Sequence, residues 1–414
     1  MKSDTPKTLG PLLLSGLMIG PILGSGIIIL PPLAYGVAGD WAIFAWVLMA
    51  MAGFFFAFTF ARLSILYPGS GGVTTAVAAA FGTGAKQLTS LYLIGAVLFG
   101  PVAVMLTAAD YLFPDSPAAP LLALPMLLVC SCLLQRKIAS IGRISLIMSS
   151  LAAAILLMGG ATVLLLHQKP AIPMTPFAAG DFGYTLLLLF WTIVGWEVVG
   201  NYSGEVRNPK RTITIAVGFS AAVITAVSMV VGAAIQYIDP ALTGGGKLQV
   251  TALITPLFAG YSRPVMALLT LSLCTATYLL FVGGVARLIG VLAREKFLPR
   301  FLGTTNRSDA PVGAIGALTT VHLAVLAAAS CGLIDTETLV AFANGFFIAN
   351  ALIGIAAAGK LFPERLQRTV AFLLGLFFVI VFLHSHFLVI LLILAMAAGT
   401  FARQKAMKTP QLPG

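Results

Sequence analysis

The sequence predicts an all-α polytopic membrane protein. Of its 414 residues, 59% are hydrophobic and only 9% are charged, where an ordinary soluble domain carries about 25% charged residues. Apolar runs long enough to cross a bilayer follow one another along most of the chain. Once those runs are threaded through a membrane, Lys and Arg fall almost entirely on one side, as the positive-inside rule demands. No polar stretch is long enough to fold separately, so residues 1–414 read as one integral membrane domain. The net charge of +11 belongs to short basic loops and does not point to a nucleic-acid partner.

A crossing needs about 20 apolar residues, and that measure gives about twelve helices. They span 9–37, 41–66, 73–112, 118–134, 143–166, 181–205, 212–237, 263–293, 312–332, 337–359, 369–384 and 386–402. Lys2 and Lys7 before an apolar stretch resemble the start of a signal peptide, but the run continues to about Ala38 without a clear cleavage site. It reads as a retained first helix. With both termini in the cytoplasm, 21 of the 24 Lys and Arg residues face that side; Lys169, Lys247 and Arg263 face the other.

Two of these helices are broken. The first contains Gly24-Ser25-Gly26 between Pro21 and Pro31, and the sixth contains Gly195-Trp196-Glu197 followed by Gly200 and Gly204. In lipid each unpaired backbone group costs several kcal/mol, so unwound chain survives only against protein or a wet cavity. Two breaks five helices apart indicate an inverted-repeat transporter with its binding site between the discontinuous helices. The repeats are expected at approximately 9–166 and 181–359, with two additional helices over approximately 369–402. Close helix packing is the alternative use for such glycines.

The breaks suit a zwitterion. Free N–H groups around Gly24, Ser25, Gly26 and Ile27 begin a half-helix whose dipole favours a carboxylate. Carbonyls released at Ile22, Trp191 and Val194 face an ammonium. Phe190, Trp191, Ile193 and Trp196 make the surroundings apolar and argue for a neutral substrate.

The motifs GSGIIILP, YPGSGG (67–72), FWTIVGWE, EVRNPKR (205–211), ARLIGVLAREKFLP (286–299) and FANGFF (342–347) resemble the amino acid–polyamine–organocation superfamily. The likeness runs from helix 1 to helix 10 and is strongest to bacterial exporters of methionine and branched-chain amino acids. The resemblance implies the five-plus-five inverted repeat with two extra helices, alternating-access transport and residence in the bacterial inner membrane. It implies that Gly24, Ser25 and Gly26 hold the carboxylate and that Ile22, Trp191 and Val194 offer carbonyls to the amine; with Ile27, Phe190 and Gly195 from the breaks themselves, these make the expected substrate-binding set. Trp191 matches an aromatic gate in relatives; simple packing is its other reading.

Glu197 lies deep in an apolar run, where a charge costs on the order of 3 kcal/mol and marks function by default. Relatives with an acid here use it as a proton-responsive group; alternatively it bonds helix-end N–H groups. Helix 5 offers no Lys to fill a sodium-like site, while Ser272, Thr275 and Thr277 in helix 8 are a weak set for sodium. Such hydroxyls commonly bond their own i−4 carbonyl. Trp196 and Asn344 are pathway candidates, and Asn344 could equally bond across helices.

The expected activity is secondary transport of neutral, apolar L-amino acids, as an exporter or proton-coupled antiporter. Import, exchange, or antiport of cationic amino acids or polyamines are the alternatives. A membrane enzyme is disfavoured, because the chain has no H-E-x-x-H, no paired intramembrane carboxylates and no convincing Ser–His pair. No cofactor or resident metal is expected. Cys130, Cys132, Cys274 and Cys331 read as small core residues, and His167, His322, His384 and His386 as interfacial or packing residues. The partners are an amino acid and the lipid bilayer; the sequence does not give the oligomeric state.

Overall fold

The computed structural model describes residues 9–68, 72–114, 116, 118–136, 138–166, 169, 174–200, 203, 206–243 and 248–408. Lys2, Lys7, Gly69, Ser70, Gly71, Lys137, His167, Asn201, Tyr202, Gly204, Glu205 and Lys247 lie outside them. The described chain is helical throughout, with α1 (Pro11–Leu23), α2 (Gly26–Ala38), α3 (Ala42–Leu66), α4 (Val73–Phe81), α5 (Thr83–Leu112), α6 (Ala119–Leu133), α7 (Ile138–Leu166) and α8 (Ala179–Leu189). There follow α9 (Trp196–Val199), α10 (Pro209–Tyr237), α11 (Thr251–Phe258), α12 (Ser262–Arg294), α13 (Val312–Ser330), α14 (Thr336–Leu361), α15 (Arg365–Phe382) and α16 (Phe387–Lys408).

Counting α1 with α2 and α8 with α9 as single broken rods, and setting aside the short α4 and α11, leaves twelve rods. Eight helical runs among the described residues are long and apolar enough to cross a membrane, one of which, 11–66, holds α1, α2 and α3 together. Three boundaries differ from the sequence reading. The span 73–112 is two helices, because the chain turns at Gly82 with φ +86°. The stretch between 237 and 263, outside the twelve spans, contains the eight-residue apolar α11. The span 181–205 holds its α-helix only to Leu189, then passes through a 3-10 turn at Phe190–Thr192.

Packing places the broken rods at the centre. α5 runs in closest contact with α12 and α14, while α1 is lodged among α7, α10 and α12. α3 lies along α10, and α15 and α16 lie outside this group. Their outward residues, such as Leu366 at 74% exposure and Phe372 at 71%, are apolar. Water would not tolerate so large an apolar surface, but hydrocarbon does.

The polar contacts gather at two opposite ends. At one, Asp40 Oδ2 accepts from the Thr175 N–H at 3.0 Å, and Asp40 N–H donates to Thr175 Oγ1 at 3.1 Å. Lys169 Nζ donates there to the Tyr35 hydroxyl at 2.8 Å and to Asp40 Oδ1 at 3.4 Å. Burial pulls the Lys169 ammonium pKa down, but Tyr35 and Asp40 outweigh it and hold the group above its ordinary value. At the other end Lys86 pairs with Glu295 at 2.5 Å, Lys360 Nζ caps the Ala80 carbonyl at 2.7 Å, and Arg207 N–H donates to the Leu9 carbonyl at 3.0 Å. The ends that the threading puts on one side of the membrane therefore meet in space.

Candidate functional site between two broken helices

The first break begins where α1 stops. Gly24 has φ +40° and donates its N–H to the Gly20 carbonyl at 2.7 Å. A Cβ at Gly24 would collide with Thr277 Oγ1 of α12, so the position tolerates no side chain. Beyond it, the Ile28 and Ile29 N–H groups turn back to the Ser25 carbonyl at 3.0 and 2.9 Å. The N–H groups of Gly26 and Ile27 start α2, where no earlier carbonyl of the helix can take them. Ser25 is fully buried, and its hydroxyl has no hydrogen-bond partner among the described residues. Two helix-start amides and one buried hydroxyl thus form a donor set at the positive end of a helix dipole.

Neighbouring helices supply what the broken backbone lost. The single Thr277 hydroxyl proton is shared between the Pro21 carbonyl at 3.1 Å and its own Leu273 carbonyl at 2.9 Å. In the second break, Asn344 Nδ2 of α14 donates to the Leu187 and Leu188 carbonyls at 2.9 and 3.2 Å. Thr192 Oγ1 donates to the Leu189 carbonyl at 2.8 Å, and the Ile193 N–H to that of Phe190 at 3.0 Å. Asn344 therefore bonds across helices, one of the two uses the sequence left open for it. A carbonyl left bare in a dry interior would cost about 1–3 kcal/mol.

The second break then turns at Gly195, φ +124°, whose N–H donates to Glu197 Oε2 at 3.1 Å. Glu197 is 2% exposed, and its Oε1 has no partner among the described residues. The breaks face each other directly. A Cβ on Gly195 would stand 2.8 Å from Ile22 Cγ1 in the last turn of α1, and one on Gly26 would stand 2.9 Å from Trp191 Cδ1.

Trp191 closes the space between them. Its far edge abuts Gly100 of α5, where a Cβ would come within 2.8 Å of the ring. Its ring centroid lies 6.2 Å from that of Phe347. Between them is a cavity of about 10 Å³, room for about one water molecule, lined by Gly100, Pro101, Val104, Trp191, Thr277, Phe281 and Phe347. Apart from the Thr277 hydroxyl every side chain around it is apolar. Sequence reading missed Gly100, Pro101, Val104, Phe281 and Phe347, whose one visible signal was the Gly-Pro pair inside a membrane helix.

Other expected residues lie elsewhere. Phe190 packs against Phe56 and Phe378, with ring centroids 6.2 and 5.0 Å away, and turns from the cavity. Trp196 lies between α3 and α10, beside Ala221 and Ile224 at one edge and Ile213 and Val217 at the other. Ser272 Oγ donates to its own Leu268 carbonyl at 2.8 Å, and Thr277 is the helix-8 hydroxyl that reaches the first break. His322 is fully buried and hydrogen-bonded between helices rather than merely packed. Among the described residues no group of three or more His, Cys, Asp or Glu side chains could hold a metal.

A bundle of apolar helices, with two unwound at its centre around a small apolar cavity, defines a membrane transporter. The chain belongs to the amino acid permease family, whose model matches residues 9–411. It is 29% identical over 338 residues to the uncharacterized amino acid permease YecA of Bacillus subtilis, covering 79% of each chain. It is 23% identical to the branched-chain amino acid permease BcaP of Lactococcus lactis, over 80% of this chain and 78% of that one. The L-methionine/branched-chain amino acid exporter YjeH of Escherichia coli is 26% identical, over 80% of each. The protein is thus a multi-pass membrane permease for amino acids, and its relatives are transporters rather than enzymes.

Proposed function

We propose that this permease carries neutral, apolar L-amino acids by alternating access, exporting them in exchange for protons. The observation that carries this reading is the meeting of the two breaks over an apolar cavity. The Ser25 hydroxyl and the Gly26 and Ile27 amides bind the substrate carboxylate, with Gly24 giving the turn that exposes them. Carbonyls of Ile22, Trp191 and Val194 bind its ammonium, Gly195 lets the second break approach the first, and the side chain lies among Val104, Phe281 and Phe347. Trp191 is the gate. The cavity must widen to admit an amino acid, and Trp191 spans it between α2 and α5.

Branched-chain amino acids and methionine are the preferred substrates, in keeping with the names of two relatives. Glu197 is the proton-responsive group: a buried carboxylate with one unpaired oxygen, bonded to the hinge amide of Gly195. The basic end of the bundle faces the cytoplasm. The two halves are inverted repeats, a reading supported by their matching order: broken rod, long helix, short helix (α4, α11), longest helix (α5, α12), then two more.

Counterflow in proteoliposomes with labelled amino acids, with and without a pH gradient, tests this. Exchange of leucine, isoleucine and methionine, accelerated by an opposing proton gradient, is expected. Exchange of arginine or putrescine alone, or indifference to the gradient, contradicts the substrate or the coupling respectively.

A further inference from the structure

On the lipid-facing side of α3, away from the two breaks, lies a cavity of about 400 Å³. Three helices form it, and each contributes one face. α3 presents Phe54, Phe58, Arg62 and Ile65, the spacing of a single helical stripe. α10 presents Lys210 and Thr214, one turn apart; α15 presents Leu366, Gln367 and Val370. The walls are graded along the membrane normal. Arg62 and Lys210 stand at the basic end of the bundle, and the aromatic part of the stripe runs inward from them for about 12 Å, at 1.5 Å per residue from Arg62 to Phe54.

The polar atoms at the charged end are incompletely used. Arg62 reaches Glu364 only at 3.9 Å, and its Nε is buried without an acceptor among the described residues. Gln367 Oε1 is likewise buried and unpaired. The Lys210 side chain is exposed at the rim. Glu364 offsets part of the positive charge but lies at the mouth, 59% exposed. At the other end Phe54, Phe55 and Phe58 are 44, 46 and 36% exposed; the Phe54 ring packs edge-on against Phe55, centroids 6.2 Å apart, and tilted against Phe58, centroids 4.9 Å apart.

We propose that this cavity is a binding site for an anionic phospholipid. The headgroup phosphate is held by the Arg62 fork and the Lys210 ammonium, with Gln367 beside it, and an acyl chain lies along the phenylalanine stripe. The geometry meets both demands of such a ligand: cationic donors at headgroup level and an apolar channel leading from them into the bilayer. A free anion would use only the charged end and leave the aromatic walls bare. A zwitterionic lipid would bring its own cation toward Arg62 and Lys210.

Native mass spectrometry of the full-length protein in detergent, titrated with phosphatidylglycerol or phosphatidylcholine, tests the site. The intact protein is expected to retain phosphatidylglycerol several-fold better than phosphatidylcholine. Lys210→Gln, an exposed substitution without structural cost, should weaken that binding about 5-fold. Arg62→Gln with Lys210→Gln should weaken it about 30-fold, at about 1 kcal/mol per basic group. Arg300→Gln, at a basic residue outside the cavity, should leave it nearly unchanged, while Arg62→Lys, which keeps the charge but loses the fork, should fall between the unaltered protein and the double variant. Equal retention of the two lipids, equal binding by Lys210→Gln and the unaltered protein, or displacement of the lipid by glycerol phosphate at equal concentration overturns the proposal. So does a dimer that forms on this face and excludes the lipid.

Discussion

The indole of Trp191 lies so close to Gly26 that a single added carbon on the glycine would stand 2.9 Å from Trp191 Cδ1. The start of α2 and the proposed gate are therefore in direct contact, and substrate and gate share one space. Gly26→Ala forces the ring or the helix start to shift. The expected outcome is a KM for transport raised at least tenfold, with a loss of only a few degrees in thermal stability. Transport kinetics in proteoliposomes alongside a melting curve of the purified variant check both halves.

Glu197 bonds the Gly195 amide and leaves its second oxygen unpaired in a buried place. Glu197→Gln keeps the shape and the acceptor but cannot exchange a proton. Transport by this variant should continue at a rate that no longer follows the pH dependence of the unaltered protein. A pH profile unchanged from that of the unaltered protein would remove Glu197 from the coupling mechanism.

Thr277 replaces the amide that a continuous helix would have offered to the Pro21 carbonyl. Thr277→Val is nearly isosteric but leaves that carbonyl bare, at a cost of about 1–3 kcal/mol, while Thr277→Ser should restore most of it. Denaturation measurements on the three proteins give the comparison. Because Ser272 bonds its own helix and the Thr277 hydroxyl is given to the Pro21 and Leu273 carbonyls, replacing sodium by choline should leave transport unchanged.

Much of this was legible in the sequence because the bilayer restricts what a backbone can do. Long apolar runs had to be helices, and the glycine clusters at 24–26 and around 195 read as breaks facing protein, with close helix packing as their other use. What the sequence hid was direction. Phe190 and Trp191 are adjacent, yet a 3-10 turn sends one ring to Phe378 and the other to Phe347. Thr277 and Ser272 carry the same chemistry, and only the face of α12 decides which meets Pro21. The cavity wall from α5, α12 and α14 was invisible for a related reason: Val104, Phe281 and Phe347 look like any membrane-helix residue until the helices are packed. α4 was merged with α5 because the apolar run continues past the turn at Gly82, and α11 was passed over because eight residues are too short for a crossing.

His322 ties the helices around α12 together. Its Nε2 lies 2.7 Å from the Val97 carbonyl, which can only accept, so that nitrogen carries the proton. Nδ1 then accepts from the Tyr278 hydroxyl at 3.0 Å, and Thr319 donates to Ser131, itself 3.3 Å from Tyr278. His322→Leu strands the Val97 carbonyl and the tyrosine hydroxyl together, for a loss of about 2–5 kcal/mol. His322→Gln, with a donor and an acceptor on one amide, should recover part of it. Substrate preference should be the same in both, since none of these groups lines the cavity.

Asp335 caps α14, accepting from the Thr338 N–H at 2.7 Å. Its bonds to Thr338, side chain and backbone, hold its carboxyl below the ordinary value of 3.8. A depressed carboxyl stabilises the fold above the unfolded pKa, and that contribution disappears as the pH falls through the folded one. Asp335→Ala should cost about 1 kcal/mol at neutral pH and should lose correspondingly less than the unaltered protein on acidification below about pH 4. Melting curves at pH 7 and pH 3 of both proteins measure the difference.

The central claim is that one pair of helix breaks holds both ends of a zwitterion over an apolar cavity. Ligand-dependent thermal stabilisation with L-leucine, isoamylamine (leucine without its carboxylate) and 4-methylpentanoate (leucine without its amine) tests it most directly. Leucine at 10 to 100 times its Kd should add about 1.4–2.7 kcal/mol, and the two truncated compounds at the same concentration should add nothing measurable. Stabilisation by either truncated compound equal to that by leucine would contradict the two-ended clamp.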